Sequence, residues 1–170
     1  LEYYTKGGGL FSAGVFLKDI KDFFANTVRI ASAADVEELG LDPRYLGWRV
    51  STQINAGSAR VYGVEFNVRQ SLREVGAWGR PVTVFVNGTK LRLEGQSTAA
   101  FNAFTPESLN WGFSYTRRPA TFMAKWNYRG KRRLGALPQL AADAFEYDDR
   151  RLTLDLNLDV ELRRWLQFYV

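Results

Sequence analysis

Between residues 152 and 162 every even position is aliphatic and every odd position is polar or acidic. Leu152, Leu154, Leu156, Leu158, Val160 and Leu162 alternate with Thr153, Asp155, Asn157, Asp159 and Glu161. Successive side chains of a strand point to opposite faces, so this segment is a strand with one dry face and one wet face. A helix would scatter the leucines around its surface. A tilted strand crosses a bilayer in about 9–11 residues, so the segment is long enough to do so. Two settings satisfy the pattern: a soluble sandwich or barrel with a packed core, and a membrane barrel with lipid outside and water within.

The same alternation recurs along the chain. Residues 1–5 read as the end of a strand, and Lys6-Gly7-Gly8-Gly9 as a tight turn. Residues 10 to about 27 read as one long strand, with Phe11, Ala13, Val15 and Leu17 opposed to Ser12, Gly14, Phe16 and Lys18. Residues 28–47 lack alternation and read as a long loop. It carries a short helix over 31–40, with Ser32 as cap and Gly40 as stop, then a turn at Asp42-Pro43. Residues 48–72 are extended but interrupted at Asn55-Ala56-Gly57-Ser58. Beyond the break Tyr62, Val64, Phe66 and Val68 oppose Gly63, Glu65, Asn67 and Arg69. After a short turn over 76–81, Val82, Val84 and Val86 oppose Thr83, Phe85 and Asn87. Leu91 and Leu93 then fall on the odd side, which predicts a register change at Gly88.

A medium loop over 96–107 leads to Trp111, Phe113 and Tyr115, which alternate with Gly112, Ser114 and Thr116. Arg118-Pro119 is a tight turn. Phe122, Ala124, Trp126 and Tyr128 follow, opposed to Met123, Lys125, Asn127 and Arg129. A loop over 131–147 precedes the 152–162 strand, and a turn at Arg163-Arg164 precedes a last strand from Leu166. The chain thus predicts an all-β antiparallel meander of about eight strands. Its connections alternate between short and longer. Membrane barrels keep short turns at one end and longer loops at the other, whereas Greek-key sandwiches have no reason to.

Composition narrows the chemistry. Hydrophobic residues make up 46% of the 170, enough for a core or a lipid-facing belt. No run approaches the roughly 20 apolar residues of a membrane helix. A mean hydropathy of -0.26 argues against a helical membrane bundle and leaves a barrel open. The 23 basic residues are dispersed among 18 acids, so no nucleic-acid partner is expected. The densest cluster, Arg129 to Arg133, reads as a solvated loop margin or as a contact for anionic outer-leaflet groups. Cysteine and histidine are both absent from the sequence. That removes disulfides, thiolate metal sites and the commonest general base. No cofactor, metal site or catalytic role is expected. One rival reading makes Asp155, Asp159 and Glu161 a calcium site or a hydrolase's carboxylates, since alternate residues of a strand lie roughly 6–7 Å apart. A second rival is a soluble all-β ligand-binding module. The opening at Leu1, already strand-like, suggests that the chain is cut from something longer.

Two stretches carry a resemblance. Residues 10–23, with Ser12-Ala13-Gly14 leading into Phe16-Leu17-Lys18-Asp19-Ile20, resemble a strand of TonB-dependent outer-membrane receptors written as small residues and then Phe-x-Lys-x-Ile. Asn55-Ala56-Gly57-Ser58-Ala59 followed by Gly63-Val64-Glu65 resembles that family's Asn-x-Gly-x-Ala-x-x-x-Gly-x-Glu strand. Trp111 to Tyr115, and Trp126 to Gly130, are similar to later strands of the barrel.

The resemblance implies a plugged barrel of about 22 strands in the outer membrane of a Gram-negative bacterium. It takes up scarce, large nutrients of the siderophore, cobalamin or oligosaccharide class. Energy comes from the inner-membrane protonmotive force through TonB. The implied partners are the outer-membrane bilayer, TonB through an N-terminal plug region that this sequence lacks, and a small-molecule or oligosaccharide ligand. Residues 1–170 would be a partial barrel domain from the C-terminal half, truncated at both ends. Glu65, Asn67, Arg69, Lys125, Asn127, Arg129, Asp155, Asn157, Asp159 and Glu161 would face the lumen. The plain reading of Glu65, from its own charge, is a lumen ion pair with Arg69 or with a neighbouring strand. Trp111, Tyr115, Trp126 and Tyr128 would belong to an interfacial girdle. Phe101, Asn102 and Phe104 would be ligand contacts in an outer loop.

Overall fold

The computed structural model describes residues 1–55, 57–95, 104–137, 140, 144–163 and 165–170. Eight strands of those residues form one antiparallel sheet. In chain order the strands are β1 (Glu2–Tyr4), β2 (Leu10–Ile20), β3 (Phe24–Ile30), β4 (Arg49–Asn55), β5 (Ala59–Ser71) and β6 (Val82–Gly95). They continue as β7 (Glu107–Arg117), β8 (Ala120–Arg129), β9 (Arg132–Ala136), β10 (Phe145–Asp148), β11 (Arg151–Arg163) and β12 (Leu166–Tyr169). The main sheet runs β1-β2-β5-β6-β7-β8-β11-β12, so each member pairs with the next one along the chain. β3–β4 and β9–β10 are separate two-stranded hairpins. Both are inserted at the end of the sheet that carries the long connections. The meander and its alternating connections follow the sequence expectation.

Three local predictions are corrected. The predicted strand over 10–27 is two strands in two sheets. It breaks at Lys21–Phe23, where Asp22 takes φ 52. The returning limb breaks at the same level: Asn55 donates to Asp22 (3.1 Å), and its own Oδ1 accepts from the Gly57 amide (2.8 Å). The sheet therefore stops on both limbs together, and the hairpin above it is a new unit. The loop predicted over 131–147 is likewise a hairpin, β9 and β10.

The third correction concerns Gly88. β5 and β6 pair without a shift from Ala59↔Gly95 to Ser71↔Thr83. Leu91 and Leu93 stay on the Thr83, Phe85 and Asn87 side, while Lys90, Arg92 and Glu94 stay on the valine side. The chemistry of the two faces changes along β6, but the register does not.

The helix in the first long loop forms as predicted. α1 (Ala33–Glu38) is capped by Ser32, whose hydroxyl accepts from the Asp35 amide while the Asp35 carboxylate accepts from the Ser32 amide. This reciprocal pairing satisfies two backbone donors that a helix start leaves open. Gly40 ends the helix at φ 62, a conformation that costs a residue without Cβ little.

The main sheet has no second layer among the described residues. Val15 is 82% exposed, and Leu152, Leu156 and Leu162 are 58%, 56% and 60% exposed. The buried apolar residues described are small: Ala31, Ala59 and Ala124. Among the described residues the packed core of a soluble sandwich is therefore missing, and the apolar face is open.

That face carries a band that runs obliquely across the strands. On β2 the apolar run is Phe11 to Leu17, centred at Gly14. On β5 it is Tyr62 to Val68, centred at Glu65, the partner of Gly14. On β11 it is Leu152 to Leu162, centred at Asn157. Pairing carries the Gly14 level through Glu65, Thr89, Ser108 and Arg129 to Arg151. The band has thus slid about six residues along the strands, or roughly 20 Å, across five inter-strand spacings of about 4.8 Å each. Its inclination is about 40°, within the tilt of membrane-barrel strands. β6 leaves the band above Gly88. Its positions on that face, Lys90, Arg92 and Glu94, are ionic for that reason.

Candidate functional site: the polar face

Directly opposed residues of an antiparallel pair share a face. Following the registers places all ten predicted polar residues on one face of the main sheet. They sort into transverse rows. Gly14, Glu65, Thr89, Ser108, Arg129 and Arg151 form one row. Ser12, Asn67, Asn87, Asn110, Asn127 and Thr153 form the next. Leu10, Arg69, Phe85, Gly112, Lys125 and Asp155 form a third. Asn157 lies opposite Met123, and Asp159 lies between Thr121 and Tyr169.

The second row sets four asparagines side by side on four adjacent strands. Asn110 donates to Asn87 Oδ1 at 3.0 Å, and Asn127 donates to Asp155 Oδ2 at 2.7 Å. Each carboxamide both donates and accepts. The row is therefore an uncharged belt of hydrogen-bonding groups between two rows that carry charge. Asn67 and Asn127 were expected here; Asn87 and Asn110 were not singled out. The pattern of each strand alone puts an asparagine on its polar face, but only the registers align the four.

The acidic positions of β11 are engaged separately. Asp155 sits opposite Lys125 and accepts from Asn127. Asp159 accepts from Gln167 through both carboxylate oxygens, at 2.7 Å each. Glu161 pairs with Gln167 across the β11–β12 ladder. Glu65 lies against Gly14, where a Cβ would stand 3.1 Å from its Oε1. Among the described residues it is in no ion pair, contrary to expectation.

At the long-loop end, Arg129 donates to Asp148 at 3.1 Å and to the Asp149 carbonyl at 3.3 Å. Arg132 reaches the same Asp148 oxygen at 2.9 Å through Nε. Arg132 first, and Arg129 with it, hold the Asp148 carboxyl below the usual carboxylate range. Lys131 stands 4.4 Å over the Tyr147 ring, and Arg133 stands 4.6 Å over Phe145. The basic cluster is thus folded onto the β9–β10 hairpin and is not a solvated margin. Two of its cations share one carboxylate, and two lie on aromatic faces. Phe104 bridges to Arg133 in the backbone. Phe101 and Asn102, the other predicted loop contacts, lie outside the described residues.

In the first long loop, the Ser32 backbone and hydroxyl, joined by the Arg29 guanidinium, hold Asp35 at a pKa of about 2. Asp35 is 7% exposed and ties the loop's tip to its own stem. On the apolar face, Trp111, Tyr115, Trp126 and Tyr128 share the side of Leu152 to Leu158.

Comparison with curated proteins finds no match. The outer membrane transporter YddB from Escherichia coli is similar in structure, with a TM-score of 0.57 and 12% identity. The likeness covers 94% of this chain and 25% of that one, so this chain spans about a quarter of the transporter's length. At that identity the likeness speaks for the fold. The family model described as TonB dependent receptor-like, beta-barrel, matches residues 1–170. With an open apolar face, an inclined band and a polar opposite face, the chain belongs to this family of Gram-negative outer-membrane barrels.

Proposed function

We propose that the chain is part of the wall of a TonB-energised receptor that takes up a scarce, large nutrient. The siderophore, cobalamin and oligosaccharide classes are the candidates. The observation that carries this reading is the division of one sheet into an uncovered apolar face and a face of ordered polar rows. In this reading the apolar band meets hydrocarbon. Glu65, Asn67, Arg69, Lys125, Asn127, Arg129, Asp155, Asn157, Asp159 and Glu161 line a wet lumen. The outer strands of the sheet, β1 and β12, pair on one side only among the described residues. At membrane depth an unpaired edge is costly, which supports completion by further strands of a larger barrel. TonB would act through a plug domain within that barrel.

The test is nutrient-limited growth. Cells lacking this protein, and cells lacking TonB, are grown on a panel of ferric siderophores, cobalamin and oligosaccharides as limiting sources. Both strains are expected to fail on the same compound, and restoring the protein is expected to rescue only the first. Unimpaired growth of the receptor-deficient strain across the panel, at substrate levels where the TonB-deficient strain fails, would overturn the assignment.

A further inference from the structure

The net charge of +5 is not spread evenly over the fold. Within the eight strands of the main sheet, basic and acidic residues balance, apart from strand-terminal Arg117 and Arg163. The two long connections that hold hairpins are close to neutral, and residues 96–106 carry no charge. The excess sits at the other end. Lys6 is in the β1–β2 turn, Arg73 and Arg80 are in the β5–β6 connection, and Arg117 and Arg118 flank the β7–β8 turn. Arg163 closes β11. All six are exposed, and among the described residues none is in a salt bridge. Glu74 is the one acid in these turns.

Two further features belong to this end. Trp78 and Trp165 are 64% and 75% exposed, and indole rings favour the level of lipid headgroups. The apolar band also continues down to it, through Val82, Tyr115, Phe122, Leu158 and Val160. A cationic rim with exposed indoles, directly below a hydrocarbon-facing band, is complementary to an anionic amphiphile. Arg73 also donates to the Lys6 carbonyl at 3.3 Å, which ties neighbouring turns into one rim.

We propose that the short-turn end is a binding surface for anionic phospholipid headgroups of the leaflet facing the periplasm. The inference rests on the membrane reading proposed above and on the general pattern of outer-membrane barrels, whose short turns face the periplasm and whose longer loops face outward. The rim holds phosphodiester groups by charge and indole contact and so selects phosphatidylglycerol-type lipids over zwitterionic ones.

The intact membrane protein is reconstituted in vesicles of equal phosphatidylglycerol and phosphatidylethanolamine. The two lipids retained after mild detergent extraction are counted by native mass spectrometry. The protein is compared with the quadruple variant Arg73→Gln, Arg80→Gln, Arg117→Gln, Arg118→Gln and with its all-Lys counterpart. Heat-modifiable gel migration confirms folding of each. The wild type and the Lys variant are expected to enrich phosphatidylglycerol. The Gln variant is expected to lose at least about five-fold of that preference, the equivalent of a single cation's roughly 1 kcal/mol near an anionic surface. High salt is expected to erase the difference. An equal lipid ratio in the wild type and the Gln variant would overturn the proposal. Lipid A and polyglutamate are offered in parallel samples: a preference for lipid A over phosphatidylglycerol would also overturn the proposal, as would charge-dependent binding of polyglutamate with no lipid preference, which would make the partner an acidic polypeptide. Trypsin added to intact cells reports orientation separately. If it cuts the α1 loop while lipid preference is absent, only the lipid inference fails.

Discussion

Trp111 and Trp126 face each other across β7 and β8, their rings 6.3 Å apart and parallel to within 6°. They lie in the same row as Leu154, on the face with no covering layer among the described residues. Stacked aromatic pairs contribute about 0.5–1.5 kcal/mol beyond the area they bury. A double-mutant cycle of Trp111→Ala and Trp126→Ala, read by urea unfolding in lipid vesicles, is expected to show a coupling of about 1 kcal/mol. Simple additivity would mean that the two rings act only through lipid contact.

The faces of β11 make a sharper test. Leu156 lies near the centre of the inclined band, and Asp155 lies on the other side of the same strand. A cation placed at the lipid-facing midplane costs about 2–4 kcal/mol. Leu156→Arg is expected to lose that much in a folding titration, whereas Asp155→Asn is expected to lose far less. Equal losses would contradict the assignment of the two faces.

Gly112 sits where β7 and β8 approach closely on the polar face. A Cβ there would stand 2.2 Å from the Ala124 carbonyl oxygen and 2.8 Å from Phe85 Cζ. Gly112→Val is expected to destabilise the barrel by about 1–3 kcal/mol, the usual cost of overpacking. Adding Phe85→Ala removes the ring contact but leaves the carbonyl contact, so it is expected to restore little. Full recovery in the double variant would locate the strain in the ring alone.

Two loop carboxylates predict the acid response. Asp35 and Asp148 both have lowered pKa values in the folded protein. Each therefore contributes its stabilisation fully above the unfolded carboxylate value of about 4 and loses it as pH falls through the folded value. For Asp35 that value is about 2. Hydrogen exchange of the α1 loop is expected to stay constant from pH 7 to about 4, after correction for intrinsic rates, and to rise towards pH 2. Loss of protection already at pH 6 would rule out Asp35 as the cause. Ser32→Ala is expected to loosen the helix start by about 1 kcal/mol at neutral pH, seen as faster tryptic cleavage near Arg44.

Much of the fold is legible residue by residue. The alternation in β5, β7, β8 and β11 names their two faces, because side-chain direction has a period of two within any single strand. The capping of α1 by Ser32 and its stop at Gly40 are equally local. The rhythm of short and long connections follows from where alternation starts and stops. Other features are not local. A glycine within β6 next to a change of face chemistry reads as a slip, and the leucines at 91 and 93 support that reading. The unbroken pairing with β5 shows instead a strand rising out of an inclined apolar band.

The sequence alone determined which residues share a face in β5, β7, β8 and β11, which end carries the loops, and that one side is greasy. Only the tertiary structure decided which residues of different strands stand level. Asn67, Asn87, Asn110 and Asn127 form a belt, and Arg129 and Arg132 converge on Asp148, because inter-strand hydrogen bonds and hairpin folding set those distances. Alternation is invariant to sliding one strand by two residues against its neighbour. The pattern within a strand therefore holds no record of its level relative to the next, and the 40° inclination of the band emerges only when all the registers are in place.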